Sequence, residues 1–452
     1  MKNIILTANG TQKADLVLKN ASIVNVFTES IEVGDVAITD GKIVGIGRYE
    51  GKIEKDMTGR FVCPGFIDGH IHLESSMVTP SEFARAVIAH GTTAVITDPH
   101  EIANVAGCDG ITYMMQATKD LPLDVFFMVP SCVPATDLDE SGACLNADDI
   151  TPFYNDRRVL GLAEMMNAFG VNQADGSVLS KIKTTLEHDR IIDGHAPLLT
   201  GKELNAYTAA GIRSDHECSN IAEAKEKLSR GQWIMIREGT AAKNLQELMP
   251  LFEAPYYNRI LLVTDDKHPL DLLNDGHIDA IIRKAVHLGA DPIRAIKAGS
   301  LNAATYFGLR DTGAIAPGYD ADIVVLNNLT DLHVQEVYKQ GTLISERGQI
   351  TTAVNSNTDS IPERVIHSFH VEKITPAQLV IPKQGEHIRV IELHAGELLT
   401  SERTAIWNTD TSAKDWADGI NPDDDIIKIV AIERHKNTGH LGKGFLGGYG
   451  LK

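Results

Sequence analysis

Residues 66–76 read FIDGHIHLESS, which sets two histidines, His70 and His72, one residue apart at the end of an apolar run. Strand side chains alternate with period two, so both imidazoles point to the same side. Two such nitrogens grip one cation. Further ligand types end later apolar runs: Glu164 in LAEMMN, His195 in DGHAP, His216 in SDHEC and Asp265 in VTDDKHP. His195 and His216 would hold a second cation, and the two oxygens of Glu164 would bridge both. Asp265 would touch a metal and take a proton from water. Four nitrogen and two oxygen donors without a thiolate suit zinc, manganese or iron, and the donor types do not decide among them.

Each residue also has an ordinary explanation. Glu164 would serve as a salt-bridge partner, although a carboxylate inside so apolar a run needs compensation. His195 and His216 would be hydrogen-bonded loop residues, and Asp265 a cap for the next helix. Such explanations would have to coincide at five strand ends. Other polar ends are Asp98, His100 and Glu101 in TDPHEI, which would line a pocket, with Asp98 before Pro99 also suiting a turn. Arg237 and Glu238 in IREGT either contact a substrate or pair with each other. His268 and His277 lie past the last run and are assigned to the surface or to a supporting role.

These ends need elements to position them. Eight apolar runs, from FVCPGFIDGHIH to RILLVTDD, alternate with helix-spaced stretches such as SEFARAVIAHG and NIAEAKEKLSRG. That alternation predicts a (β/α)8 TIM-like barrel over residues 61–305, with its chemistry at the C-terminal strand ends. Residues 1–60 and 306–350 read as short strands, with Asp40-Gly41 as a hairpin turn, and predict one small composite β-sandwich domain from both flanks. Residues 351–452 form a third, C-terminal α+β section with strand-like RVIHSFHVEKI, AQLVIP, HIRVIELH and DIIKIVAIERH. The glycine-rich NTGHLGKGFLGGYGLK lacks phosphate-loop spacing and is read as a surface turn or loop.

A chain of 452 residues suits one large enzyme domain with satellites. The formal charge of −19 argues against a nucleic-acid surface, since phosphate binding rests on lysine and arginine. An apolar fraction of 43% and a charged fraction of 23% are ordinary for a globular protein. Without a signal-like start or a span of roughly 20 apolar residues, a cytoplasmic location and no membrane contact are expected. Five cysteines (Cys63, Cys108, Cys132, Cys144, Cys218) with no C-x-x-C pair fit a reducing compartment, each as a small buried residue.

The stretch PGFIDGHIHLESSMVTPSEFARAVIAHGTTAVITDPHEIANVAG, followed in order by DGHAP, SDHE, TDD and LNAATYFGL, resembles the amidohydrolase superfamily and, within it, the adenine deaminase family of bacteria. The resemblance runs along nearly the whole chain. It implies a dinuclear centre of two divalent ions, manganese or iron ahead of zinc, on His70, His72, Glu164, His195, His216 and Asp265. Glu164 stands where many superfamily members carry a carboxylated lysine. The implied reaction is hydrolytic deamination of adenine to hypoxanthine and ammonia in purine salvage, with metal-activated hydroxide attacking the amine-bearing carbon. Asp265 would be the general base, with Glu164, His100 and Glu101 as further catalytic groups; Asp98, Arg237 and Glu238 would contact the substrate. A homo-oligomer, as a dimer, is expected. Rivals are another cyclic-amide hydrolase or base deaminase of the superfamily, and a non-catalytic truncated homologue. Such proteins usually run past GKGFLGGYGLK, so the C-terminal section is expected to be incomplete.

Overall fold

Alternating apolar residues near the start form long strands, β1 (Ala14–Asn25) and β2 (Ser30–Thr39). Asp40 and Gly41 both take positive φ, 52° and 74°, the conformation a two-residue hairpin requires, and fold β3 (Lys42–Gly47) back on β2. In this computed structural model, which describes residues 1–136, 138–355, 361–395, 399–407 and 419–450, β4 (Gly51–Asp56) and β5 (Phe61–Pro64) run parallel to successive halves of β1.

The continuous apolar runs then form parallel strands. One sheet holds β6 (Phe66–Ile71), β7 (Thr92–Thr97), β8 (Asp124–Val129), β9 (Val159–Met165) and β10 (Ile191–Gly194). A second holds β11 (Ser214–Asp215), β12 (Trp233–Arg237) and β13 (Ile260–Val263). Backbone hydrogen bonds cross both seams: Arg213 N donates to Ile192 O at 3.0 Å, and Asp265 N to His70 O at 2.9 Å. The eight strands therefore follow one another in chain order, from β6 to β13 and back to β6. Gly69 stands where the seam is tight, since a Cβ there would overlap Leu261.

Helices cover the outside, among them Pro80–Ile88, Cys108–Ala117, Gly176–Glu187 and Ile221–Ser229. Asp175 caps Gly176–Glu187 by accepting from Ser177 N and Val178 N, as an N-cap carboxylate does. Val95, Phe127 and Val129 pack outward with Phe83, Val87 and Met114, while Ile67, Ala94, Met128, Ala163, Met235 and Leu261 form a second apolar core. Burial on both faces explains why these runs are apolar throughout rather than alternating.

Past the helix Leu301–Phe307 the chain returns to β1's sheet with β14 (Ile323–Leu326), β15 (Val334–Lys339), β16 (Thr342–Glu346) and β17 (Gln349–Ile350). β14 pairs with β5, so both flanks build one connected nine-stranded sheet. The expected boundary at residue 61 falls inside it: β5 belongs to the flanking sheet.

The third section departs furthest from its sequence reading. β18 (His387–Glu392), β19 (Ser401–Ile406), β20 (Ile426–Ile432) and β21 (Leu441–Gly447) form a sheet in the order β19-β18-β21-β20. RVIHSFHVEKI is no strand; Glu363–Ile366 is a helical turn after Pro362. AQLVIP begins instead in the 3-10 turn Pro376–Leu379, capped by Thr375 and Gln378. The glycine-rich tail is loop at 437–440 and again past Gly447, but between them it supplies β21, a central strand paired on both edges. Residues 451 and 452 of that tail lie outside the described residues. Cys63, Cys132 and Cys218 are buried as expected, but Cys108 is half-buried and Cys144 exposed. Among the described residues no helix is long and apolar enough to cross a membrane.

Candidate functional site

The strand ends bring the six residues together. Glu164, buried at the end of β9, presents one oxygen to each of two groups. Its Oε2 lies 2.7 Å from His195 Nδ1 and 3.0 Å from His216 Nε2, which stand 3.1 Å apart. Its Oε1 lies 3.4 Å from His72 Nε2, which is 3.2 Å from Asp265 Oδ1; His70 Nε2 reaches that oxygen at 3.9 Å. The His70 and His216 rings stack between the two groups, centroids 4.4 Å apart.

Local structure explains how each donor is aimed. His72 Nδ1 faces the Asp98 carbonyl oxygen at 2.8 Å; that oxygen only accepts, so Nδ1 carries the proton and Nε2 turns to the cluster. The register of β6 against β7 shifts between Asp68 and Ile71, and such an irregularity re-aims side chains. Asp68 consequently does not join His70 and His72, although it stands two residues earlier. It accepts from Thr264 Oγ1 at 2.5 Å and lies 2.9 Å from His277 Nε2. His277 is thus a fully buried support, whereas His268 is at the surface. Asp265 takes φ 58°, a left-handed conformation aspartate tolerates better than most residues, just past β13. It does not cap the next helix, whose N-cap is His268.

The electrostatics favour positive charge. Burial alone would lower the His72 and His216 pKa values, yet Asp265 and Glu164 raise His72 well above its usual range, and Glu164 foremost brings His216 up to about 9. Conversely, burial would raise the Glu164 and Asp265 pKa values, but the surrounding imidazoles hold both carboxyls well below the usual carboxylate range. Burial and the neighbouring His216 and His72 push His70 down, which keeps its ring neutral, as a ligand must be. His70 Nε2 is buried without a hydrogen-bond partner among the described residues. The sets His70/His72/Asp265 and His70/Glu164/His216 each have donor atoms within 4.8 Å of one another. An orphaned buried nitrogen among converging anions fits a divalent cation, and the all-nitrogen-and-oxygen donor set fits zinc, manganese or iron.

The other predicted residues divide. His100 joins the cluster, with Nδ1 2.9 Å from Asp98 Oδ2 and 3.2 Å from Glu164 Oε1; against the effect of burial, Asp98 foremost brings it up to about 10. Among the described residues Glu101 is tied to it through Ser75, whose hydroxyl lies 3.0 Å from Glu101 Oε1 and also against Asp266, with one proton between the two carboxylates. Arg237 does not pair with Glu238. Its guanidinium forks onto Glu217 and donates to Asp265 Oδ2 at 2.7 Å. Glu238, just past the end of β12, turns to Lys284 at 2.6 Å.

Glu217 escaped the sequence reading. Alternation would point it away from His216, but β11 ends at Asp215, and in the loop both side chains face inward, 3.5 Å apart. Glu74 was missed as well; burial, with the nearby Glu101 charge, pushes its carboxyl up to about 7.

Comparison with known proteins places these features. The amidohydrolase family model matches residues 61–344. The adenine deaminase of Desulfatibacillum aliphaticivorans is 46% identical over 449 residues, 99% of this chain and 78% of that protein. That of Geobacillus kaustophilus is 44% identical over 453 residues, with 100% and 78% covered. Among solved structures, the β-aspartyl dipeptidase of Fervidobacterium islandicum superposes with a TM-score of 0.55 at 18% identity, over 75% of this chain and 98% of that one. The zinc complex of atrazine chlorohydrolase from Arthrobacter aurescens gives 0.56 at 15% identity, over 75% and 97%. Likeness at such identity concerns the fold alone.

Proposed function

This chain belongs to the amidohydrolase family, and we propose that it hydrolyses adenine to hypoxanthine and ammonia. Identity of 44–46% along the full chain to proteins named adenine deaminase supports that substrate. The geometric observation that carries the chemistry is Glu164, with one oxygen toward each of two ligand groups.

On this reading the eight parallel strands are one (β/α)8 barrel, residues 1–60 and 306–350 a β-sandwich domain, and residues 351–452 a further domain. His70, His72, Glu164, His195, His216 and Asp265 hold two divalent ions, manganese or iron ahead of zinc. Such ions, when bound, supply Lewis acidity that brings the pKa of water toward neutrality. The protein's own groups move the protons. Arg237 occupies Asp265 Oδ2, so Oδ1 is the oxygen left to take a proton from the attacking water. Water oxygen bonds to the amine-bearing carbon while one water proton passes through Asp265 to the adjoining ring nitrogen, which takes the electron pair of the opened carbon–nitrogen double bond. The bond to the amine then breaks as the second water proton passes from the new hydroxyl to the departing amine, leaving hypoxanthine and ammonia. His100, held by Asp98, stands beside Glu164 as a second proton carrier. Glu101 reaches this machinery only through Ser75, and Glu238 has its carboxylate on Lys284, so neither is assigned a reacting atom. A place in cytoplasmic purine salvage and a homodimer complete the proposal.

Ammonia release measured in parallel from adenine, guanine, cytosine and hydantoin tests it. Adenine should be preferred by at least about a hundredfold, the discrimination that a site hydrogen-bonding its substrate readily reaches. Preference for a cyclic amide would replace the substrate while leaving the site in place.

A further inference from the structure

Beside the ligand cluster lies a cavity of about 1030 Å³ that none of the six ligands lines. Glu74, two residues past His72 in the 3-10 turn Leu73–Ser76, stands at its edge. Its Oε1 accepts from Ile102 N at 3.1 Å, fixing the carboxyl to the helix His100–Ala106, whose first residue touches Glu164. Its Oε2 is buried and has no hydrogen-bond partner among the described residues. The neighbouring polar groups cannot serve it, because Glu101 and Asp266 are carboxylates that only accept and the one hydroxyl proton of Ser75 lies between them. A buried acceptor left unpaired by its own protein, at the edge of a cavity, calls for a donor from outside.

The walls indicate what carries that donor. Ile102 and Val105 come from the helix, while Val365 and Ile432 come from the C-terminal section. These apolar side chains stand among polar and charged ones, Glu101, Asn104, Asp139, Glu433, Arg434 and His435, and a mixed lining with a fixed buried acceptor suits a polar heterocycle bearing a ring N–H.

We propose that Glu74 Oε2 accepts the ring N–H of the bound base, positioning its amine-bearing carbon at the ligand cluster, and that the C-terminal section supplies one wall of that pocket. The inference rests on the deaminase reading and adds to it a specificity-determining residue and a use for residues beyond the family match.

Wild type, E74A and E74Q, each checked for metal content, are assayed with adenine, 7-methyladenine and 9-methyladenine. In E74A, kcat/KM for adenine should fall at least about tenfold, mainly through KM, with metal content unchanged. Wild type should reject at least one methylated base about tenfold, and E74A should lose that discrimination to within about twofold. E74Q, which keeps an amide oxygen as acceptor, should retain it. Unchanged KM in E74A, or discrimination intact in E74A, overturns the proposal. If E74A does not fold, E74Q decides: discrimination lost there despite the retained acceptor also overturns it. Should wild type not turn over adenine, the functional reading falls instead. Equilibrium adenine binding then tests Glu74: about tenfold weaker in E74A supports the role, and equal Kd removes it.

Discussion

Two buried assemblies of metal-type donors lie side by side, and only one already contains its cation. Asp215, Cys218 and Glu223 converge as closely as the ligands around Glu164 do. At their centre sits the Lys227 ammonium, fully buried, donating to Asp215 Oδ2 at 2.9 Å, Glu223 Oε1 at 2.7 Å and Ala196 O at 2.6 Å. An ammonium has three protons, and all three are placed. Asp215 Oδ1 in turn accepts from Ala196 N at 2.8 Å, so this assembly pins the segments that carry His195 and His216. Among the described residues no lysine intervenes around Glu164, and His70 Nε2 has no hydrogen-bond partner. The difference separates support from site: charge balanced from within holds a shape, whereas converging donors with an orphan nitrogen recruit something from outside.

That contrast can be broken from either side. The largest effect is expected from D265N, which removes the general base while keeping an oxygen ligand. Turnover should drop by about 10³-fold or more, within the range for positioned acid–base groups, with most metal retained. Undiminished activity would take Asp265 out of the mechanism. K227M attacks the other assembly and leaves two buried carboxylates uncompensated, which costs about 3–5 kcal/mol in comparable cases. Urea unfolding should show the loss, and a change under about 1 kcal/mol would mean that the ammonium balances nothing. Metal removal by a chelator should destabilise wild type by about 3 kcal/mol when the ion had been present at a hundred times its Kd, and K227M by the same amount. A response confined to one of them would show that the two assemblies are not independent.

The smallest effect concerns acid. Burial alone would raise the Asp215 pKa, but Lys227 holds it down at about 2, below its ordinary 3.8. A carboxyl depressed on folding stabilises above its unfolded pKa and loses that contribution as pH falls through the folded one. Wild type should therefore lose this increment between about pH 4 and pH 2, a window that D215N should flatten. An unchanged acid limb in D215N would assign the loss to other carboxylates.

What the sequence disclosed follows the same division. His70, His72, Glu164, His195, His216 and Asp265 end runs made apolar by burial on both faces, so texture and position together exposed them. Glu217 stayed hidden because alternation stops where β11 stops. Asp68 shows the opposite limit of period two: a register shift turns it away from His70 and His72 although it stands two residues before His70. Arg237 and Glu238 stay apart because Glu217 and Asp265 take the guanidinium while Lys284 takes the carboxylate, partners that are distant in sequence. In the C-terminal section, local signals mislead most. Glycines at 442, 444 and 447 suggest a turn, yet β18 and β20 on either side impose a strand, and at Gly447 a Cβ would meet the carboxylate of Glu392. Strand formation there is decided by neighbours distant in sequence, which no window of residues contains.

The most direct measurement is ammonia release from adenine by the purified chain, loaded separately with manganese, iron or zinc and analysed for metal content. The account predicts turnover together with about two metals per chain, as a two-metal hydrolytic site requires. Two bound metals without turnover would contradict the substrate, and a chain that binds no metal would contradict the ligand assignment itself.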